Sequence, residues 1–265
     1  MPEHTVGRRI LDQAQVAGFR DGGYAVCHWQ VFAPARLAAL QALAAEHLGA
    51  AASPESRQLD TPHFHDERLL DFLLGDEVLD LVEPLTGPDI VLWSSHFIIK
   101  TPAYTAGTPW HEDSAYWAGR LSDYSRIVTV WLALDPTWRQ NGCLRVIPGS
   151  HRGSGQRRYR VDHSKAFFEK ELQDVDESQA AYLELGPGEA SLHDGRIIHG
   201  AAPNSSGYRR AGYTMRYLPA DVRIIPEANT GHRVWLARGQ DRADNTYQNT
   251  GRIKDGQQAA DQDAR

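Results

Sequence analysis

An imidazole and a carboxylate two positions apart, His111 and Asp113 of the run Trp110-His111-Glu112-Asp113, are the most chemically pointed feature of this sequence. On an extended backbone residues i and i+2 point to the same side, so the pair could bind one cation together. A second histidine from another strand would complete the two-histidine, one-carboxylate face of the non-haem Fe(II) oxygenases, which leaves positions open for a cosubstrate and O2. Spacing alone decides little. With 12 His and 34 acidic residues, about 1.5 His-x-acid pairs arise by chance, and the chain has His111-x-Asp113 and His65-x-Glu67. The latter falls where a helix begins, so its side chains diverge; Asp66 and Glu67 read as first-turn acids favoured by the helix dipole. His63 and His65 are read as structural, with a cupin-type HxH site as the weaker alternative.

Downstream context separates the two pairs. After Trp110–Asp113 come Val130-Trp131-Leu132-Ala133-Leu134, then Asn141-Gly142-Cys143-Leu144 leading to Pro148-Gly149-Ser150-His151, then His199 followed by Pro203-Asn204-Ser205-Ser206, and finally Arg209-Arg210. In this order the chain resembles the phytanoyl-CoA dioxygenase family of Fe(II)/2-oxoglutarate oxygenases, over most of residues 17–218. The resemblance implies a double-stranded β-helix, or jelly-roll, with Fe(II), 2-oxoglutarate as cosubstrate and O2. It implies His111, Asp113 and His199 as iron ligands and Arg210 as the partner of the distal carboxylate of 2-oxoglutarate. Trp131 and His96 fall on cosubstrate-contacting positions. Ala201 departs from the pattern, since many relatives carry a serine there. Because Asp113 is intact, hydroxylation or desaturation is favoured over halogenation, in which a small residue replaces the carboxylate.

Other residues have plainer readings. His151 follows a Pro-Gly-Ser turn and suits a hydrogen-bonded structural role as well as a functional one; Gly142, Pro148 and Gly149 shape turns. Asp194 before Gly195 reads as a turn residue, and His193 has no assigned duty. Trp131 could equally be core. Tyr116, Trp117, Trp138, Phe167 and Phe168 are candidates to line a substrate pocket, although aromatic residues more often pack. There is no phosphate-binding G-x-x-x-x-G-K-[ST] loop, G-x-S-x-G elbow or HExxH.

The elements that must hold these groups can be outlined. Residues 34–48 carry Leu37, Leu40, Leu43, Ala44 and Leu48 on one helical face after Pro34. Residues 66–86 predict one or two short helices broken near Gly75 and Pro84. Beyond residue 88, β-branched and aromatic runs at 89–100, 125–134, 144–147, 181–185, 196–200 and 209–218 alternate with turn residues. A helical lead-in followed by short strands predicts a mainly β sandwich or barrel braced by helices. On 209–217, Arg209, Ala211, Tyr213, Met215 and Tyr217 share one face and suit packing on helices. Arg210, Gly212, Thr214 and Arg216 share the other and suit the barrel interior. Arg216, about 20 Å along the strand, is too far to serve the carboxylate held by Arg210. The polar stretch 150–180 predicts a lid, and residues 241–265 a flexible tail after one domain spanning 1–240.

Composition bounds the rest. A net charge of −6 argues against nucleic acid or anionic membrane as a partner, and the resemblance implies a small-molecule substrate. Two cysteines, Cys27 and Cys143, exclude a disulfide framework and suit a reducing cytoplasm. No apolar run reaches the roughly 20 residues of a membrane span, and no hydrophobic signal core opens the chain. The competing readings are a cupin-like metal enzyme that does not use 2-oxoglutarate and a catalytically inactive small-molecule-binding relative.

Overall fold

The computed structural model describes residues 9–51, 59–102, 106–153, 157–163 and 168–249. Helix α1 (Gln13–Gly22) opens with a capping box, in which Asp12 and Gln15 each satisfy the other's backbone amide, and closes on Gly23 at φ 82°. Strand β1 (Tyr24–Cys27) and helix α2 (Pro34–Ala50) follow, and α2 buries Leu37, Leu40, Leu43 and Ala44 as its spacing predicts. Helix α3 (Leu70–Leu73) and helix α4 (Asp76–Thr86) are separated at Gly75. Pro84 does not break α4 as the sequence suggested. It removes one amide near the end, and the helix is closed by the Gly87 amide on the Glu83 carbonyl, 2.9 Å.

The remaining strands are β2 (Ile90–Lys100), β3 (Thr108–His111), β4 (Val128–Ala133), β5 (Leu144–Val146), β6 (Tyr159–Val161), β7 (Lys170–Leu172), β8 (Ala181–Leu183), β9 (Ala190–Asp194), β10 (His199–Ala201), β11 (Arg210–Pro219) and β12 (Trp235–Arg238). They form a six-stranded sheet in the order β1-β9-β4-β11-β2-β12 and a four-stranded sheet β3-β10-β5-β8, both antiparallel, with β6 and β7 paired separately. This is the mainly β, helix-braced jelly-roll that the sequence predicts.

Alternation along β11 distributes its side chains as expected. Ala211, Tyr213, Met215 and Tyr217 join Leu40, Leu73 and Leu79 in the core between the large sheet and the helices. The opposite face packs Trp131 and Ala133 against Leu144, Val146 and Leu183 of the small sheet, and the site opens inside that sandwich.

Two polar stretches carry more structure than their composition suggests. The stretch 150–180, read as a lid, is not without strands: β6 and β7 pair, and Leu172 packs with Trp110 and Ile198; residues 154–156 and 164–167, Phe167 among them, lie outside the described residues. Nor does the chain come loose at residue 241. Tyr247 packs on the cluster around Trp93 and Trp117, and the Gln248 amide donates to the Val234 carbonyl, 2.8 Å. The polar composition of 241–249 is spent on such bonds, as in Arg242 to Asp89, 2.8 Å. Residues 250–265 of the expected tail lie outside the described residues. Among the described residues no helix is long and apolar enough to cross a membrane.

Candidate active site

His111 ends β3 and His199 begins β10, and the two are register partners across the small sheet, with ring centroids 4.1 Å apart. Glu112 keeps the backbone extended (φ −114°, ψ 133°), so Asp113, at the start of a short 3-10 turn, still points to the side of His111. Glu112 points the other way, where it accepts from Tyr159 Oη at 2.7 Å and Arg157 Nε at 3.2 Å. Behind His199, the Pro-Gly-Ser turn acts as a brace: the Ile198 amide donates to Ser150 Oγ at 2.8 Å.

The donor set converges. Nδ1 of His111 faces the Pro109 carbonyl at 2.8 Å and Nδ1 of His199 faces the Ile197 carbonyl at 3.0 Å. A proton on each Nδ1 satisfies those carbonyls and leaves each Nε2 as a lone pair directed inward. Both Nε2 atoms approach Asp113 Oδ1, at 3.7 and 3.8 Å. The second carboxylate oxygen, Oδ2, accepts from Thr129 Oγ1 and from Arg216 Nε, each at 3.0 Å. Burial by itself would raise the Asp113 carboxyl, but the Arg216 guanidinium, with His111 and His199, overrides it and holds the group well below the usual carboxylate range. Burial, reinforced by His111, keeps the His199 imidazole neutral. One ligand atom from each residue lies within 4.8 Å of the others, and all three side chains are buried. Two imidazoles and one carboxylate fit a divalent transition-metal ion and leave part of its coordination sphere to other ligands.

A recess runs from this triad to Arg210, walled by Ile98, Leu144, Trp131 and Thr214. Arg210 is only 1% exposed. It donates through Nη2 to the Gly142 carbonyl at 2.7 Å and through Nη1 to the Ile98 carbonyl at 3.4 Å, while Nε has no protein partner. The Asn-Gly turn is what brings that carbonyl in: Gly142 sits at φ 75°, and a side chain there would strike the Ala202 carbonyl. The guanidinium lies 5.4 Å from the Trp131 ring. No carboxylate among the described residues pairs with it, and a buried cation without a counter-charge is costly, so the recess suits an anion. Its neighbour Arg209 turns outward into a two-bond pair with Asp135, both bonds 2.8 Å.

Several assignments shift on inspection. His96 does not line the Arg210 recess; it faces an adjoining cleft, with Nδ1 3.7 Å from Asp60 Oδ1. Trp131 is both core and recess wall. Tyr116, Trp117 and Phe168 border the cleft, whereas Trp138 packs on Tyr208 away from it. His151 is structural, with Nε2 3.1 Å from the Arg20 carbonyl. Asp194 holds its turn by binding the Arg196 amide and guanidinium at 2.8–2.9 Å. His63, buried against Ser95 Oγ at 2.7 Å, is likewise structural.

Sequence reasoning missed Arg216, Thr129, His193 and Lys100. His193 lines the recess with its ring 4.6 Å from that of His199 and neither nitrogen partnered among the described residues. Lys100 is the register partner of Arg210; burial, then the adjacent guanidinium, pulls its ammonium down to about 6. Alternation signalled only the inward places of Lys100 on β2 and Arg216 on β11; Thr129 on β4 and His193 on β9 carried no such signal, and their neighbours in the site come from other strands.

Comparison with known proteins agrees with the geometry. Residues 5–212 match the family model described as phytanoyl-CoA dioxygenase (PhyH). A probable alpha-ketoglutarate-dependent hypophosphite dioxygenase of Stutzerimonas stutzeri is 28% identical over 170 residues, 63% of this chain and 58% of that protein. The peroxisomal phytanoyl-CoA dioxygenase of Homo sapiens is 32% identical over 174 residues, 62% of this chain and 50% of that protein. The matched region thus spans about half the length of these curated relatives. Among solved structures, EvdO2 from Micromonospora carbonacea var. aurantiaca, complexed with 2-oxoglutarate, is 27% identical with a TM-score of 0.64 over 82% of this chain and 94% of that one. The non-heme monooxygenase ThoJ, at 23% identity and a TM-score of 0.72 over 89% of this chain and 87% of that one, shares the fold.

Proposed function

The chain belongs to the phytanoyl-CoA dioxygenase family, and from that premise we propose that it is an Fe(II)- and 2-oxoglutarate-dependent oxygenase that hydroxylates, or desaturates, an unactivated C–H bond of a small molecule. The observation that carries the reading is the pairing of a buried two-histidine, one-carboxylate cluster with a buried arginine that lacks a counter-charge at the end of the same recess.

His111, Asp113 and His199 would hold the iron. Bound there, Fe(II) supplies activation of O2 coupled to oxidative decarboxylation, so that 2-oxoglutarate, O2 and R–H become succinate, CO2 and R–OH. The protein's own share is positional and electrostatic. The Pro109 and Ile197 carbonyls fix the imidazole tautomers, and Thr129 with Arg216 directs Asp113 Oδ1 inward. Arg210 receives the far carboxylate of the cosubstrate through its fork of N–H donors. Trp131, Ile98 and Leu144 keep water from the recess. Ala201 supplies no hydroxyl to that cosubstrate, so Arg210 bears more of its recognition.

Succinate release from 2-oxoglutarate in the presence of Fe(II), ascorbate and O2 tests the activity. Wild type is expected to form succinate, with slow uncoupled turnover when no substrate is added. Asp113→Ala is expected to form none, because two histidines alone make a weak site. Full activity in Asp113→Ala would remove the assignment. A cupin-like enzyme without 2-oxoglutarate chemistry would release no succinate in either protein.

A further inference from the structure

Beside the triad lies a second cavity of about 260 Å³, lined by residues that include Trp93, Trp117, Tyr116 and Phe168. Asp113, Phe168 and Arg216 line both it and the recess, so a molecule in the cleft reaches the triad. We infer that this cleft is the substrate site, that its ligand is a small molecule with an anionic oxygen group, carboxylate or phosphoryl, on an apolar body, and that Arg120 receives that group. The word substrate rests on the oxygenase reading above; the binding claim rests on the cleft alone.

Arg120 is held in place rather than left to wander. Its Nε donates to Asn229 Oδ1 at 2.8 Å, while the Asn229 amide donates to the carbonyls of Arg120 and Ile225, both at 2.8 Å. Its guanidinium lies 4.8 Å from the centre of the Trp93 ring. Trp93 in turn meets Trp117 edge-on at 6.3 Å, and Arg216 lies 5.7 Å from the Trp117 ring. Two cations are thus set against two indoles on one wall. Arg216 turns its Nε to Asp113. No carboxylate among the described residues lies within ion-pair distance of Arg120, and the nearest acidic influence is Asp60 at the rim, 44% exposed and facing His96. Partial burial makes the Arg120 charge costly without a counter-charge, and an incoming anion would offset that cost. A fixed guanidinium fork matches a carboxylate or phosphoryl group in two-bond fashion. The indole and phenyl walls suit an apolar body lying from Arg120 toward Asp113.

The test is calorimetric titration of the Fe(II)-loaded protein, under nitrogen and with saturating 2-oxoglutarate, using 3-phenylpropionate, 2-phenylethylphosphonate and uncharged 3-phenylpropanamide. At least one acid is expected to bind about tenfold or more tightly than the amide, the range for a charge-assisted two-bond contact. The tighter of the two acids identifies the group as carboxylate or phosphoryl. Arg120→Gln is expected to abolish the preference while leaving 2-oxoglutarate binding within about twofold. Arg120→Lys, which keeps the charge but loses the fork, should weaken the acid and not the amide, and it decides the matter if Arg120→Gln fails to fold. Equal binding of acid and amide, no binding of any probe, or an acid affinity indifferent to both Arg120 variants would overturn the proposal. If 2-oxoglutarate itself does not bind wild type, the oxygenase reading fails separately, and acid binding retained in Arg210→Ala still assigns the anion to Arg120.

Discussion

Replacing Thr129 by valine removes one hydroxyl from Asp113 Oδ2 and little volume, so it isolates what outer support contributes. Outer partners of metal ligands typically account for ten- to a hundredfold in affinity; with Arg216 still bound to the same oxygen, the loss for Thr129→Val is expected near the lower bound, about tenfold. Competition with a chromogenic chelator measures it, and an unchanged affinity would show that Arg216 alone orients the carboxylate. At this scale the sequence was half readable. His111 and Asp113 declare themselves because their two-residue spacing on an extended segment is itself the geometry. Arg216 and Thr129 do not, since each meets Asp113 only through pairing of strands 103 and 16 residues away in the chain. Arg216 was read as merely too far from Arg210. Its partner is the metal-binding carboxylate.

The long pair β2–β11 does most to set the site. Alternation placed Arg210, Gly212, Thr214 and Arg216 inward, opposite Lys100, Ile98, His96 and Ser94, and this was legible because the nine residues 209–217 repeat the pattern. Short strands such as β1, β9 and β12 escaped notice, since four or five residues carry little periodicity. Within β11, Gly212 leaves room for Trp131: a Cβ there would fall 2.2 Å from the indole. Trp131 is buried, and the open space it faces is the recess it walls. Gly212→Ala is therefore expected to destabilise the fold by about 1–3 kcal/mol, the usual range for overpacking, and to weaken 2-oxoglutarate binding by displacing the ring beneath Arg210. Thermal unfolding and a cosubstrate titration check the two effects. A variant as stable as wild type would mean that Trp131 can repack.

Across the whole molecule, besides His199, four histidines are held neutral, His63, His96 and His193 buried and His232 half-buried. Burial, with His232 and His65 nearby, lowers His63 to about 3, and burial, with Arg216 or Arg120 nearby, lowers His96, His193 and His232 to about 4. In the unfolded chain each titrates near 6.5. Folded values below the unfolded one mean that the unfolded state takes up protons first as pH falls. These groups leave stability untouched above about pH 6.5 and erode it from there toward pH 4, with about three to four more protons bound on unfolding at pH 5. Urea midpoints of the metal-free protein at pH 7, 6 and 5 should fall steeply, and a flat profile would contradict the burial of these rings. The global architecture was visible in the switch from helical to two-residue periodicity after residue 88. The ordering of 241–249 was not, because polar residues that bond to the domain look in composition like residues that bond to water.

The central claim is that one metal and 2-oxoglutarate share the recess between His111, Asp113, His199 and Arg210. Anaerobic titration of 2-oxoglutarate into Fe(II)-loaded protein, followed by the visible charge-transfer absorption of a chelated 2-oxo acid, tests it most directly. Wild type and Arg209→Ala should saturate at one equivalent with similar affinity, because Arg209 is engaged with Asp135 on the outer face. Arg210→Ala should need about a hundredfold more 2-oxoglutarate, in line with losing a buried two-bond charge contact, while still binding iron. An absorption band that never develops in wild type, or that is lost in Arg209→Ala and kept in Arg210→Ala, would contradict it.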